Sequence, residues 1–107
     1  MASRRIPRQT TFLKLLYRCP TTQRKSRIPY VTDEQLAALS QIALNILRGN
    51  VPITNAYKKK MRRYKDVIRS LASRHVSRSR KKETLLKFHA VIPLIIKPLL
   101  QLLDDES

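Results

Sequence analysis

Apolar residues along this chain recur at three- and four-residue spacing rather than in alternation, so the elements they predict are helices. The clearest series is Leu36, Leu39, Ile42 or Ala43, and Ile46 or Leu47. Thr32 opens it, followed by Asp33, Glu34 and Gln35. That is a capping box, in which the Thr32 hydroxyl accepts from the Gln35 backbone while the Gln35 side chain reaches back. Gly49 supplies a left-handed stop after Arg48, and together these signals predict a helix over 33–48. Beyond the turn Gly49-Asn50-Val51-Pro52, either Thr54 or Asn55 can cap a second helix over 55–73, with Tyr57, Met61, Tyr64, Ile68 and Leu71 on one face. After a break at 73–77, Ser77 can cap a third helix over 78–103. Its body from Leu85 to Leu103 is apolar on all sides, the pattern of a buried or lipid-contacting segment, and Pro93 and Pro98 are expected to kink or break it.

Upstream, Thr10 or Thr11 can cap a short helix through Phe12, Leu13, Leu15, Leu16 and Tyr17, ending before Pro20 because a residue preceding proline avoids helical backbone angles. Residues 1–31 read as a basic arm with that one short helix, and 20–31 as a basic linker. The fold expected is therefore all-α: a small three-helix domain over 32–103, behind a basic, partly disordered N-terminal arm and ahead of an acidic tail, 104–107. A length of 107 residues suits one compact core. One glycine and no tryptophan turn the composition away from turn-rich β architectures and from glycine-built phosphate loops.

Charge changes the picture most. Lys and Arg number 23 against 7 Asp and Glu, a formal net charge of +16, and self-repulsion on that scale destabilises a compact chain unless a polyanion neutralises it. The cations concentrate on 58–82: Lys58, Lys59, Lys60, Arg62, Arg63, Lys65, Arg69, Arg74, Arg78, Arg80, Lys81 and Lys82, with Asp66 the one acid among them. An ordinary solvated helix face interleaves Glu with Lys at four-residue spacing, and that pairing is absent here. These twelve residues are the candidate nucleic-acid contacts. Their lysine and arginine excess favours phosphate contact over base readout. Tyr57 and Tyr64 lie within the stretch and can stack on bases, but their place on the apolar stripe makes core packing with hydroxyls at the rim the better reading.

Other chemistry is thin. His75 and His89 are far apart and lack further ligands at metal spacing. The lone Cys19 has no His or acid placed to orient it, and carboxylates for acid–base work are scarce. No cofactor and no enzymatic activity are expected. No stretch reaches the ~20 apolar residues of a spanning helix. The basic run 78–82 joined to the apolar 85–103 suits either core and self-association or contact with an anionic membrane. The N-terminal cations Arg4, Arg5, Arg8, Lys14 and Arg18, with no acid before Asp33, also fit a mitochondrial presequence.

The runs Leu44-Asn45-Ile46-Leu47-Arg48-Gly49-Asn50-Val51-Pro52-Ile53 and Arg63-Tyr64-Lys65-Asp66-Val67-Ile68-Arg69-Ser70-Leu71-Ala72-Ser73, with Val76-Ser77-Arg78 and Lys81-Lys82, carry a resemblance over about residues 10–100. The chain resembles small basic proteins encoded by Polinton/Maverick elements and their adintovirus-like relatives. In that group a Gly-Gly-Phe-Leu-Pro type segment typically follows the basic region. Here Phe88-His89-Ala90-Val91-Ile92-Pro93-Leu94 keeps the proline and apolar run but lacks the glycine pair, which weighs against a glycine-dependent role such as protease processing. The resemblance implies a virion-associated or core protein of a double-stranded DNA element. The function expected is sequence-nonspecific DNA binding and packaging, with DNA favoured over RNA as partner and the host nucleus or virion as location. The alternatives are a membrane-active capsid accessory protein and an organellar ribosomal or RNA-binding protein, with the mitochondrion as the alternative location.

Overall fold

In the computed structural model, which describes residues 8–106, seven α-helices follow one another: α1 (Thr10–Arg18), α2 (Thr21–Arg27), α3 (Asp33–Leu47), α4 (Asn55–Arg62), α5 (Lys65–Ala72), α6 (Arg78–Lys87) and α7 (Val91–Glu106). A 3-10 turn, Ile28–Tyr30, joins α2 to α3, and no strand occurs among the described residues. The all-α expectation holds, but the three-helix count does not.

From Thr32 onward the start and stop signals act where the sequence places them, whereas α1 begins behind Gln9 with no side-chain cap, so neither Thr10 nor Thr11 caps it. Thr32 Oγ1 accepts from the Gln35 backbone N–H at 3.1 Å, and the Gln35 side chain accepts from the Thr32 N–H at 2.9 Å, so the capping box is complete. At the far end Arg48 is the C-cap and Gly49 adopts φ +73°. The Gly49 N–H then reaches the Ile46 carbonyl and the Asn50 N–H reaches that of Asn45, the paired bonds of a Schellman motif. Thr54 rather than Asn55 caps α4, through the Tyr57 N–H, and Ser77 caps α6 through that of Arg80.

Both long helices expected downstream are divided. The segment 55–73 breaks at Arg63 and Tyr64, where the Tyr64 N–H bonds the Met61 carbonyl three residues back. No glycine or proline marks the place. Packing decides it: α5 lays Val67, Ile68 and Leu71 along α3, while α4 buries Met61 alone. The segment 78–103 breaks at Phe88-His89-Ala90, and α6 and α7 diverge by 98°. The cause is Pro93. Restarting the helix at Val91 puts this proline in a first turn, where its missing N–H has no intrahelical partner to lose.

Pro98, expected to kink or break the helix, lies inside α7, which continues to Glu106. Lacking an N–H, it leaves the Leu94 carbonyl without its helical donor. The Tyr57 hydroxyl supplies the donor instead, at 2.6 Å.

Residues 10–31 are more than an arm. Leu13 and Leu16 of α1, Ile28 of the 3-10 turn and Val31 are all buried, and α1 packs on α7. The expected linker contains α2, anchored by a buried Arg24. Its Nε donates to the Leu16 carbonyl and its Nη2 to that of Cys19, each at 3.1 Å, closing the C-terminus of α1. Arg4 and Arg5 lie outside the described residues. The core joins these residues to Leu36, Leu39 and Ile42 of α3, the buried face of α5, Leu85 of α6, and Val91, Ile92, Ile95, Ile96, Leu99 and Leu100 of α7.

Candidate nucleic-acid interface

Helix α4 is capped at its start yet carries no acid in its first turn, while Lys58, Lys59, Lys60 and Arg62 all stand exposed on it. Lys58 and Arg62 are four residues apart and Lys59 and Arg62 three, so like charges face one another along the surface and oppose the helix. Arg63, Lys65, Arg69, Arg74, Arg78 and Arg80 are exposed as well, which makes ten of the twelve cations of 58–82 available to a partner. Lys82 is half-buried, its ammonium 3.5 Å from the Pro29 carbonyl.

Lys81 is corrected. It is 9% exposed, and its Nζ donates to Ser40 Oγ at 3.0 Å. Desolvation by burial holds its pKa below the ordinary lysine value. It stands apart from the exposed cations, on the inward face that its four-residue spacing from the buried Leu85 gives it.

The cations of 58–82 are parted by the expected break at 73–77 and, in addition, by the bend at 63–64. One group, Lys58, Arg62 and Lys65, rims a shallow apolar groove of about 330 Å³ lined by Leu47, Ile53, Met61 and Ile68. A second, Arg74, Arg78 and Lys81, lines a niche of about 250 Å³ against Asp33, Ser40 and Gln41 of α3. Lys59, Lys60, Arg63, Arg69 and Arg80 line neither. Among the described residues one ion pair forms, between Arg78 Nη1 and Asp33 Oδ2 at 2.8 Å, both side chains being largely exposed.

The tyrosines divide by role. Tyr57 and Tyr64 are half-buried against the core, and burial, with Tyr17 nearby, pushes the Tyr57 hydroxyl up to about 12. Tyr30, which the sequence pattern does not single out, is 85% exposed and shares a cleft with Arg8 and Arg27. Its signal was local: Pro29 holds it in a 3-10 turn that packs Ile28 inward and leaves its neighbour outside. Cys19 is buried, its thiol directed to the Leu16 carbonyl. Among the described residues no group of three or more His, Cys, Asp or Glu is arranged to hold a metal ion.

Comparison of the chain with protein-family models, with curated proteins and with solved structures gives no match. Among the described residues no single helix is long and apolar enough to cross a membrane. The pair α6 and α7 would qualify together by length and composition, but it is sharply bent.

Proposed function

We propose that this chain binds nucleic acid through its phosphate backbone, without sequence preference, and serves to neutralise and package DNA. The observation that carries this reading is the exposure of ten cations over residues 58–80 with almost no acids between them. Each cation that engages a phosphate releases condensed counterions, so such a surface gains free energy mainly from the salt it displaces. The spread of the exposed cations over a groove, a niche and the surface outside both favours a partner that wraps or bends around the body over one that lies along a single straight face. The resemblance to basic proteins of Polinton/Maverick elements points the same way, toward a core component of a virus-like particle acting in a host nucleus or virion. No catalytic step is invoked.

The membrane reading is weaker. The apolar residues of α7 that would insert are the ones packed against α1 and α3, so lipid contact would require unpacking the core.

A salt titration of binding to unrelated duplex DNA and to structured RNA tests the proposal. With roughly six phosphates neutralised, the logarithm of affinity should fall with the logarithm of salt at a slope of about −5, indifferent to sequence. A variant with Lys58, Lys59, Lys60, Arg62 and Arg63 changed to Gln should flatten that slope by about 0.9 for each phosphate it no longer neutralises. Binding that is weak, salt-independent or unchanged in the variant contradicts it.

A further inference from the structure

We infer that the niche between α3 and α6 is a binding site for a single phosphate group. Arg74, Arg78 and Lys81 line it from the 73–77 loop and the first turn of α6, and Asp33, Ser40 and Gln41 line it from α3. Asp33, Ala37, Ser40, Gln41 and Leu44 follow one another at helical spacing, so one stripe of α3 forms the wall.

Two features of this place, the surroundings of Lys81 and the start of α6, are unfavourable to an isolated chain and complementary to a tetrahedral oxyanion. Lys81, 9% exposed, has a hydroxyl as its ammonium's partner, and the one carboxylate lining the niche is bonded to Arg78. Cations fill the first turn of α6, where the helix dipole already places positive charge. Three cations therefore meet one acid in a space of about 250 Å³, large enough for a phosphate. An oxyanion there would accept from two guanidinium groups, whose fork geometry suits phosphate oxygens, and from the Lys81 ammonium. Gln41 spends one amide N–H on Asn45 Oδ1 and retains a second.

The inference goes beyond the proposed function, because occupancy by phosphate does not require nucleic acid to bind α4. The group can be a backbone phosphodiester or a free phosphate, and the two sources are separable.

Backbone amide shifts of the full chain should be followed by NMR during titration with inorganic phosphate, against chloride at equal ionic strength. Saturable shifts are expected at Ser40, Gln41 and Arg78 to Lys81. Lys81→Met should weaken binding about tenfold or more, while its melting temperature stays level or rises, which a purely structural lysine would not allow. Arg74→Gln, a change in an exposed loop, should weaken it without touching the core. Asp33→Asn should tighten it roughly threefold by freeing Arg78. The variant with α4 neutralised should bind phosphate normally. Displacement of phosphate by duplex DNA identifies the backbone as the source, and retention identifies a free phosphate. Shifts that do not saturate, or that persist unchanged in Lys81→Met and Arg74→Gln, overturn the inference. If DNA binding keeps its steep salt slope in that case, the niche alone fails and the nucleic-acid reading stands.

Discussion

Helices α3 and α4 are both capped by a threonine, and the likeness ends there. In α3 every level agrees: acids occupy the first turn, an apolar stripe buries Leu36, Leu39, Ile42 and Ala43, and a glycine closes the end. In α4 the first turn holds no acid, cations crowd one another at three- and four-residue spacing, Met61 is the one buried side chain, and the helix ends in a bend. Natural chains avoid conflicts between local preference and fold, and those that remain concentrate at functional places. On this reading α3 serves the fold, and α4 with the start of α6 serves something outside the chain.

The widest gap between the two regions should appear on core truncation. Leu39→Ala, at a fully buried site, is expected to cost about 3 kcal/mol and to lower the melting temperature by more than about 10 °C, measured by thermal or urea unfolding. A cost similar to that of a surface substitution would break the claim that α3 organises the core.

Two buried cations sharpen the comparison. Arg24 satisfies two main-chain carbonyls at the end of α1, so Arg24→Met strands both and should cost about 2 kcal/mol by urea unfolding. Lys81 satisfies a hydroxyl, and its removal should cost little or nothing. Equal losses at the two sites would show that the niche is ordinary structure.

Tyr57 ties α4 to the body through the carbonyl that Pro98 leaves free, and Tyr57→Phe should cost about 1 kcal/mol. The pH dependence has a definite sign. The folded-state pKa lies near 12, above the ordinary 10.0, so the folded state resists ionisation. This contribution to stability is intact below pH 10 and lost as pH rises from 10 toward 12. Unfolding of the two proteins across that range should show a shallower alkaline decline in Tyr57→Phe.

The smallest effect has the opposite direction. Lys58→Gln and Lys59→Gln should each stabilise the chain by about 0.3 kcal/mol at low salt, with the gain vanishing at high salt as screening removes the repulsion. Destabilisation by either would mean that these lysines serve the fold after all.

How much of this was legible in the sequence follows the same division. The caps at Thr32, Thr54 and Ser77, the stop at Gly49 and the inward positions of α3 were readable because each signal is local. The bend at 63–64 was not, since no residue there disfavours a helix and only the demands of packing on α3 and α7 set it. Helix α2 was hidden by its composition: Thr21 to Arg27 has no apolar residue, and its anchor is an arginine bonded to carbonyls of the preceding element. Pro93 and Pro98 were legible as disturbances, but where the helix would restart and which hydroxyl would serve Leu94 depended on distant residues. Of the candidate nucleic-acid-binding residues, all but Lys81 stand at least partly outside. Lys81 misleads when residue type is weighed above its spacing from Leu85.

Thermal melting at low salt, with and without unrelated duplex DNA, is the decisive measurement when the natural chain is compared with the variant neutralised at Lys58, Lys59, Lys60, Arg62 and Arg63. Binding to the folded state alone raises a melting temperature by mass action. If α4 serves a polyanion rather than the fold, the variant melts higher than the natural chain without DNA and gains much less when DNA is added. A variant that melts lower alone and gains as much from DNA would contradict that division of labour.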